Sequence, residues 1–212
     1  MALVGRDFDA VLLDIGDVIT APVWGQLDQL ERVTGRRLVG RGPLDPDGDE
    51  LWQRHLSGEL SYTEYWETFA ASNGFDDWRQ LFRELTIHVP ERFGDQDAYD
   101  LMADARSSGY KVGVLTNDGV SISGPDFFAK IPEFAALDAF VDARLNGTAK
   151  PDPEPYLRAA KALQADTTRV VFLDDLPASV DGARAVGMTA VLVDPLDKTP
   201  AFQKTRQLLG LP

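Results

Sequence analysis

Four short stretches hold the residues whose types and spacing could do chemistry. VLLDIGDVIT (residues 11–20) is an apolar run that stops at Asp14, with Gly16 and Asp17 just beyond. KVGVLTND brings Thr116 and Asn117 to the end of a second apolar run, and VVFLDDLPASVDGA brings Asp174 and Asp175 to the end of a third. Lys150 stands before a proline in NGTAKPDPEPY. Each has an ordinary reading alone. An Asp after a strand caps a helix or closes a turn. A second Asp before a helix is favoured by the helix dipole. Thr-Asn suits turns, and a loop lysine is normally solvated. Together they put three carboxylates, a hydroxyl, an amide and an ammonium along one edge of one sheet. Carboxylates so clustered repel unless a cation sits among them. A ligand set made only of oxygen suits Mg²⁺ rather than Zn²⁺.

The elements that must position these groups follow from hydrophobic periodicity. Strands are predicted at Ala10–Leu13, Lys111–Leu115, Ala139–Val141, Val170–Leu173 and Ala190–Val193. AVLL and VVFL are apolar at every position, as in a parallel sheet covered on both faces. Helical spacing marks Asp95–Ser108, Pro155–Leu163 and Ala178–Val186, the first and last stopped by Gly109 and Gly187. Strand and helix alternate from residue 95 onward, which predicts a doubly wound, mostly parallel α/β fold. In such a sheet ligands bind at the carboxyl ends of the strands.

Residues 21–94 break the rhythm. Helices are predicted at Trp24–Thr34, Asp49–Leu56, Tyr62–Ser72 and Asp76–Leu85, the third opened by a Ser61–Glu64 capping box. This reads as an all-helical insertion, so that 1–20 and 95–212 form one core. Trp24, Trp52, Tyr62, Tyr65, Trp66 and Phe69 are candidates for its interior or for a pocket. Arg54 and His55 are expected on a solvated face. Residues 118–135 read as a loop longer than the fold requires.

Composition narrows the function. The 212 residues carry a formal charge of −13, which disfavours nucleic acid and anionic membranes as partners. There is no cysteine, so thiolate metal sites and a cysteine nucleophile are excluded. Two histidines, His55 and His88, exclude a histidine-rich metal site. No apolar run approaches the ~20 residues that span a bilayer, and MALVGRDFDA lacks a signal pattern. A cytoplasmic location is the expectation; the oligomeric state is not specified.

The four stretches resemble the motifs of the haloacid dehalogenase (HAD) superfamily, and the resemblance covers nearly the whole chain. LLDIGDVIT is similar to its D-x-D-G-[TV] motif. VGVLTN, GTAKPDPEPY and VVFLDDLPASVDGARAVGM resemble the second, third and fourth. HLSGELSYTEYWETF resembles cap segments of the branch with sugar-phosphate phosphatases and the N-terminal phosphatase domain of epoxide hydrolases. The resemblance implies a Rossmann-like core with a helical cap, acting as a Mg²⁺-dependent phosphatase on a small phosphorylated metabolite. Asp14 would be the nucleophile. Thr116, the Asn117 N–H and Lys150 would hold phosphate. Asp14, the Gly16 carbonyl and Asp175 would bind the metal, with Asp174 a direct or outer partner.

The chain departs from the pattern at Gly16, where the family usually has an acid–base aspartate. Such help is typically worth ~10²–10⁴-fold. Asp17 could substitute only through a local bend, which Gly16 would permit; otherwise Asp17 bonds to the turn backbone. Ser179 stands where an acidic or amide residue often supports the metal. Gly16 keeps open a catalytically weak binding or regulatory protein, and a phosphoryl transferase is the other alternative.

Overall fold

The computed structural model describes residues 6–88 and 94–212, with residues 86–88, 121 and 125 by backbone alone. Two compact units divide the chain: Met1–Ala21 with Gly94–Pro212, and Pro22–Phe93.

Among its described residues the first unit carries five parallel strands: β1 (Ala10–Leu13), β2 (Lys111–Thr116), β3 (Ala139–Asp142), β4 (Val170–Asp174) and β5 (Thr189–Leu192). Their order is β3-β2-β1-β4-β5. Every residue of β1 and β4 is buried, which is why AVLL and VVFL contain no polar residue. Strands β2 and β4 reach one residue further than the apolar runs predict. Thr116 and Asp174 are therefore the last rungs of the ladder, paired with Asp142 and Leu192.

The second unit is helical: α1 (Val23–Thr34), α2 (Glu50–Leu56), α3 (Tyr62–Ser72) and α4 (Trp78–His88). Ser61 Oγ accepts the Glu64 N–H at 3.2 Å while Glu64 Oε2 accepts the Ser61 N–H at 2.8 Å, the reciprocal capping box. Trp24, Tyr65, Trp66 and Phe69 are buried together with Leu27, Leu30 and Leu81, and Trp52 and Tyr62 pack against them. Trp24 and Trp66 stack with centroids 4.7 Å apart. Arg54 is exposed and pairs with Glu59 at 2.7 Å. His55 does not lie on a solvated face. Its ring is ringed by Trp52, Tyr62 and Tyr65, with centroids 5.0 to 5.8 Å away, and Nδ1 lies 3.0 Å from the Leu60 carbonyl. An imidazole is a flat ring with a polar edge, so it joins an aromatic cluster while its nitrogen meets the backbone. The His88 side chain lies outside the described residues.

Among the described residues seven α-helices complete the first unit: α5 (Gln96–Ser107), α6 (Gly119–Ser123), α7 (Pro125–Phe128), α8 (Pro132–Ala135), α9 (Pro153–Leu163), α10 (Pro177–Ala185) and α11 (Thr199–Leu209). The stretch 118–135 is thus three short helices, not one long loop. Prolines open two of them, where a missing N–H costs nothing. Among the described residues no helix is long and apolar enough to cross a membrane.

Helices α9 and α10 pack on the sheet through Tyr156, Ala159, Leu163, Val180 and Ala183, against Leu12 and Phe172. Gly182 makes this fit close. A Cβ there would stand 2.6 Å from the Pro151 carbonyl oxygen and 2.8 Å from the Tyr156 hydroxyl. Because the first of these is backbone, the neighbour cannot rotate away. Gly182→Ala is expected to destabilise the protein by about 1–3 kcal/mol, seen as a lower Tm in thermal unfolding. An unchanged Tm would mean the loop at Pro151 yields freely.

Candidate active site

Parallel register decides where the charges meet. Strand β1 sits between β2 and β4, and the chain runs out on one side before returning to the other. The carboxyl ends of β1 and β4 therefore flank the switch point, where open α/β sheets bind ligands. Leu13 pairs with Leu173, and the Asp14 N–H donates to the Leu173 carbonyl at 2.9 Å. Asp14 and Asp174 thus end neighbouring strands, about 5 Å apart. Two carboxylates at that spacing repel by about 3 kcal/mol at an effective dielectric of about 20.

Lys150 answers this repulsion. Its Nζ lies 2.9 Å from Asp14 Oδ1 and 2.6 Å from Asp174 Oδ2, and donates to the Leu115 carbonyl at 3.2 Å. The side chain is only 2% exposed. Burial alone would pull its pKa down, but Asp14 and Asp174 lift it above the usual lysine value, so it stays an ammonium. Asp14 Oδ1 is close enough for this ion pair yet has no aligned hydrogen bond. Burial pushes the Asp14 carboxyl up to about 6; Lys150 opposes the rise and Asp174 adds to it.

Asn117 holds Lys150 from behind. Its Oδ1 accepts the Lys150 N–H at 2.8 Å and its Nδ2 donates to the Lys150 carbonyl at 3.2 Å. The sequence offered Asn117 for its backbone N–H; this use of the side chain was not foreseen. Thr116 is buried at the end of β2, beside that clamp. Ser179 is buried too, and its carbonyl accepts the Tyr156 hydroxyl at 2.8 Å, which ties α10 to α9.

Oxygen atoms of Asp14, Asp174 and Asp175 lie within 4.8 Å of one another. All are hard ligands, as Mg²⁺ requires. Asp174 already spends both oxygens, on Lys150 and on the Leu176 N–H at 2.9 Å. Asp175 is partly buried, and its carboxyl is raised well above the usual range by burial, then by Asp17, Asp174 and Asp14. The donor set therefore fits a divalent cation, with Asp14 and Asp175 the freer partners.

The turn Ile15–Ile19 carries the remaining predicted residues. The turn bends locally, and the bend falls at Asp17 and not at Gly16. Gly16 is extended, at φ −59° and ψ 128°, a conformation open to any residue. Asp17 is left-handed, at φ 53° and ψ 2°, which Asp tolerates better than most side chains. Its N–H donates to Thr20 Oγ1 at 2.9 Å, and it is 5% exposed. Gly16 itself is exposed, and a Cβ there would meet nothing within 4 Å. Two charged residues near this turn were missed, Lys198 and Asp95. Lys198 sits in PLDKTP, with no sequence signal to set it apart from a solvated loop lysine.

The core is a Rossmann-like sheet with a carboxylate–ammonium–carboxylate set at its switch point. The chain matches the model of the haloacid dehalogenase-like hydrolases over residues 8–187, and it belongs to that family. It is 31% identical over 198 residues to the phosphatase MT3486 of Mycobacterium tuberculosis (strain CDC 1551 / Oshkosh), covering 87% of each chain. It is 25% identical over 178 residues to bifunctional epoxide hydrolase 2 of Sus scrofa, covering 74% of this chain but 30% of that protein. Among solved structures, the HAD-hydrolase YfnB from Bacillus subtilis, bound to magnesium, shares the fold with a TM-score of 0.67. The sequences are 18% identical, over 97% of this chain and 99% of that one.

The raised Asp14 carboxyl makes a pH prediction. Folded Asp14 binds a proton more tightly than the unfolded carboxyl, so its contribution favours the folded state below about pH 4. That contribution is lost as pH rises through about 6. Metal-free Asp14→Asn should therefore gain on the wild type between those values, by about 3 kcal/mol. Thermal unfolding in chelator across this range measures it, and a flat difference would show that Asp14 titrates normally. Lys150→Met should cost about 3–5 kcal/mol in the same assay, since it leaves buried carboxylates without their cation.

Proposed function

We propose that this hydrolase is a phosphatase that cleaves a small phosphate monoester, sugar phosphates included, through an aspartyl-phosphate on Asp14, with Mg²⁺ as cofactor. The observation that carries this reading is the buried Lys150 shared by Asp14 and Asp174 beside a third carboxylate, Asp175. The relative from M. tuberculosis, named a phosphatase, supports it.

In the first step a carboxylate oxygen of Asp14 attacks phosphorus, and the ester P–O bond breaks. The leaving oxygen keeps the electron pair and takes up a proton. In the second, water attacks the same phosphorus, releasing inorganic phosphate and restoring the Asp14 carboxylate. Lys150 offsets the charge of two anions brought together. The Thr116 hydroxyl and the Asn117 N–H orient the phosphoryl oxygens. Asp14, the Gly16 carbonyl and Asp175 would hold Mg²⁺, with Asp174 next to them. When bound, the ion neutralises phosphoryl charge. The helical unit inserted between the core segments is read as the cap that the family resemblance implies. The cysteine-free, acidic composition suits a cytoplasmic enzyme.

Gly16 supplies no proton to the leaving oxygen. Substrates whose leaving group needs little protonation, such as an anomeric or aryl phosphate, fit this best. Phosphate release from aryl and sugar phosphates, with and without Mg²⁺, tests the reading. Turnover should require Mg²⁺ and fall on the order of 10³-fold or more in Asp14→Asn. Turnover indifferent to both would leave a binding or regulatory protein, and product phosphorylated without free phosphate would mark a transferase. Because the space beside Gly16 is open, Gly16→Asp should fold normally. It should raise kcat on alkyl phosphates by about 10²-fold, with little gain on aryl phosphates.

A further inference from the structure

Lys198 immediately precedes α11, yet its side chain turns inward and the residue is 6% exposed. Nζ donates to the Val18 carbonyl at 3.1 Å and the Thr20 carbonyl at 2.6 Å, and pairs with Asp95 Oδ2 at 3.3 Å. An ammonium has three donors and no acceptor, so these partners account for all three. They lie on two segments. One is the turn that follows Asp14; the other is the start of α5. The two are joined directly as well, because the Asp95 N–H donates to the Ile19 carbonyl at 2.7 Å and Thr20 bridges Gly94. The chain leaves this unit after Ala21 and re-enters at Gly94. Both ends of that excursion are thus fastened around one buried charge.

Burying an ammonium is expensive unless it is paired, and an apolar side chain would fill the space without that penalty. The charge has a second audience. Burial pulls the Lys198 pKa below the usual lysine value, and Asp95, then Asp17 and Asp175, pull it back. Lys198 therefore attracts the carboxylates on the Asp175 side of the cluster, as Lys150 attracts those on the Asp14 side.

We propose that Lys198 is a positioning residue for the reaction at Asp14: its ammonium fixes the Ile15–Ile19 turn, and so the Gly16 carbonyl and the Asp17 carboxylate, against Asp14. The kinetic side of this rests on the phosphatase reading; the clamp itself does not. Hydrogen exchange of the metal-free protein tests the clamp. Lys198→Met should speed exchange across residues 15–21 by at least about tenfold, with β4 unchanged. Kinetics with an aryl phosphate test the consequence. Lys198→Met should lose about 10–100-fold in kcat and in apparent Mg²⁺ affinity, with KM for the ester within about twofold. Lys198→Arg should recover most of the loss, as should ethylammonium added to Lys198→Ala. A merely structural lysine would lower Tm but leave kcat and Mg²⁺ activation of the folded enzyme unchanged, and that result overturns the proposal. So does unaltered exchange. If Lys198→Met does not fold, Asp95→Asn replaces it, with a smaller change expected in both readouts and no change counting against the clamp. Wild-type protein without Asp14-dependent turnover would remove the phosphatase reading, and exchange alone would then decide whether Lys198 holds the turn.

Discussion

The ammonium of Lys150 lies between two carboxylates that the sheet does not allow to separate. Asp14 and Asp174 end adjacent parallel strands in fixed register, so their distance is set by the backbone ladder and not by their own preference. Relaxation by rotamer is limited, because both are buried and Asp174 is also tied to the Leu176 N–H. A counter-charge must be built in. Lys150 provides it with its remaining donor spent on the Leu115 carbonyl, which leaves the ammonium no alternative partner to prefer.

Much of the surrounding scaffold exists to deliver that lysine. Asn117, one residue past β2, grips both backbone groups of Lys150. Gly182 lets α10 come against Pro151, the next residue along. Tyr156 packs edge-on to Phe172 and reaches the Ser179 carbonyl, which locks α9 to α10 above the same strand. The Phe172 ring lies 5.6 Å from the ammonium, a favourable if modest cation–π contact. Elements remote from one another in sequence thus converge on one Nζ atom.

The legible parts of this molecule are those with a local cause. Unbroken apolar runs reveal β1 and β4, because burial on both faces leaves no room for a polar alternation. The Ser61–Glu64 box is a contact between near neighbours, so four letters suffice to announce it. The motif residues Asp14, Lys150, Asp174 and Asp175 come together at the strand ends, since the strand order fixes which ends meet. What stayed hidden has a non-local cause. Asn117 reads as turn chemistry until residue 150 is placed beside it. Lys198 looks like any loop lysine, and α11, which it precedes, is absent from the sequence-based expectations. His55 looks polar until three aromatic rings from α2 and α3 surround it. Gly16 would permit a bend and the turn does bend, but the glycine sits in ordinary extended backbone and the left-handed position falls to the aspartate after it.

That reversal bears on why the turn holds its shape. A left-handed aspartate costs about 1–2 kcal/mol, and such positions persist only where the surroundings over-determine them. Here Thr20 Oγ1 takes the Asp17 N–H, while Lys198 holds the carbonyls of Val18 and Thr20. The bend brings the Asp17 charge to bear on Asp175, adding a fourth carboxylate to the Asp14–Asp174–Asp175 set. With all four ionised, Lys150 and Lys198 leave two negative charges unmatched, and burial of Asp14 and Asp175 favours taking up protons to relieve them. A phosphate dianion would be repelled by that excess. A divalent cation among the carboxylates would turn the same excess into a binding site. The electrostatic imbalance of the ionised set thus favours a bound cation on grounds that do not depend on any motif, and it ties the unusual turn to the carboxylates around Asp14.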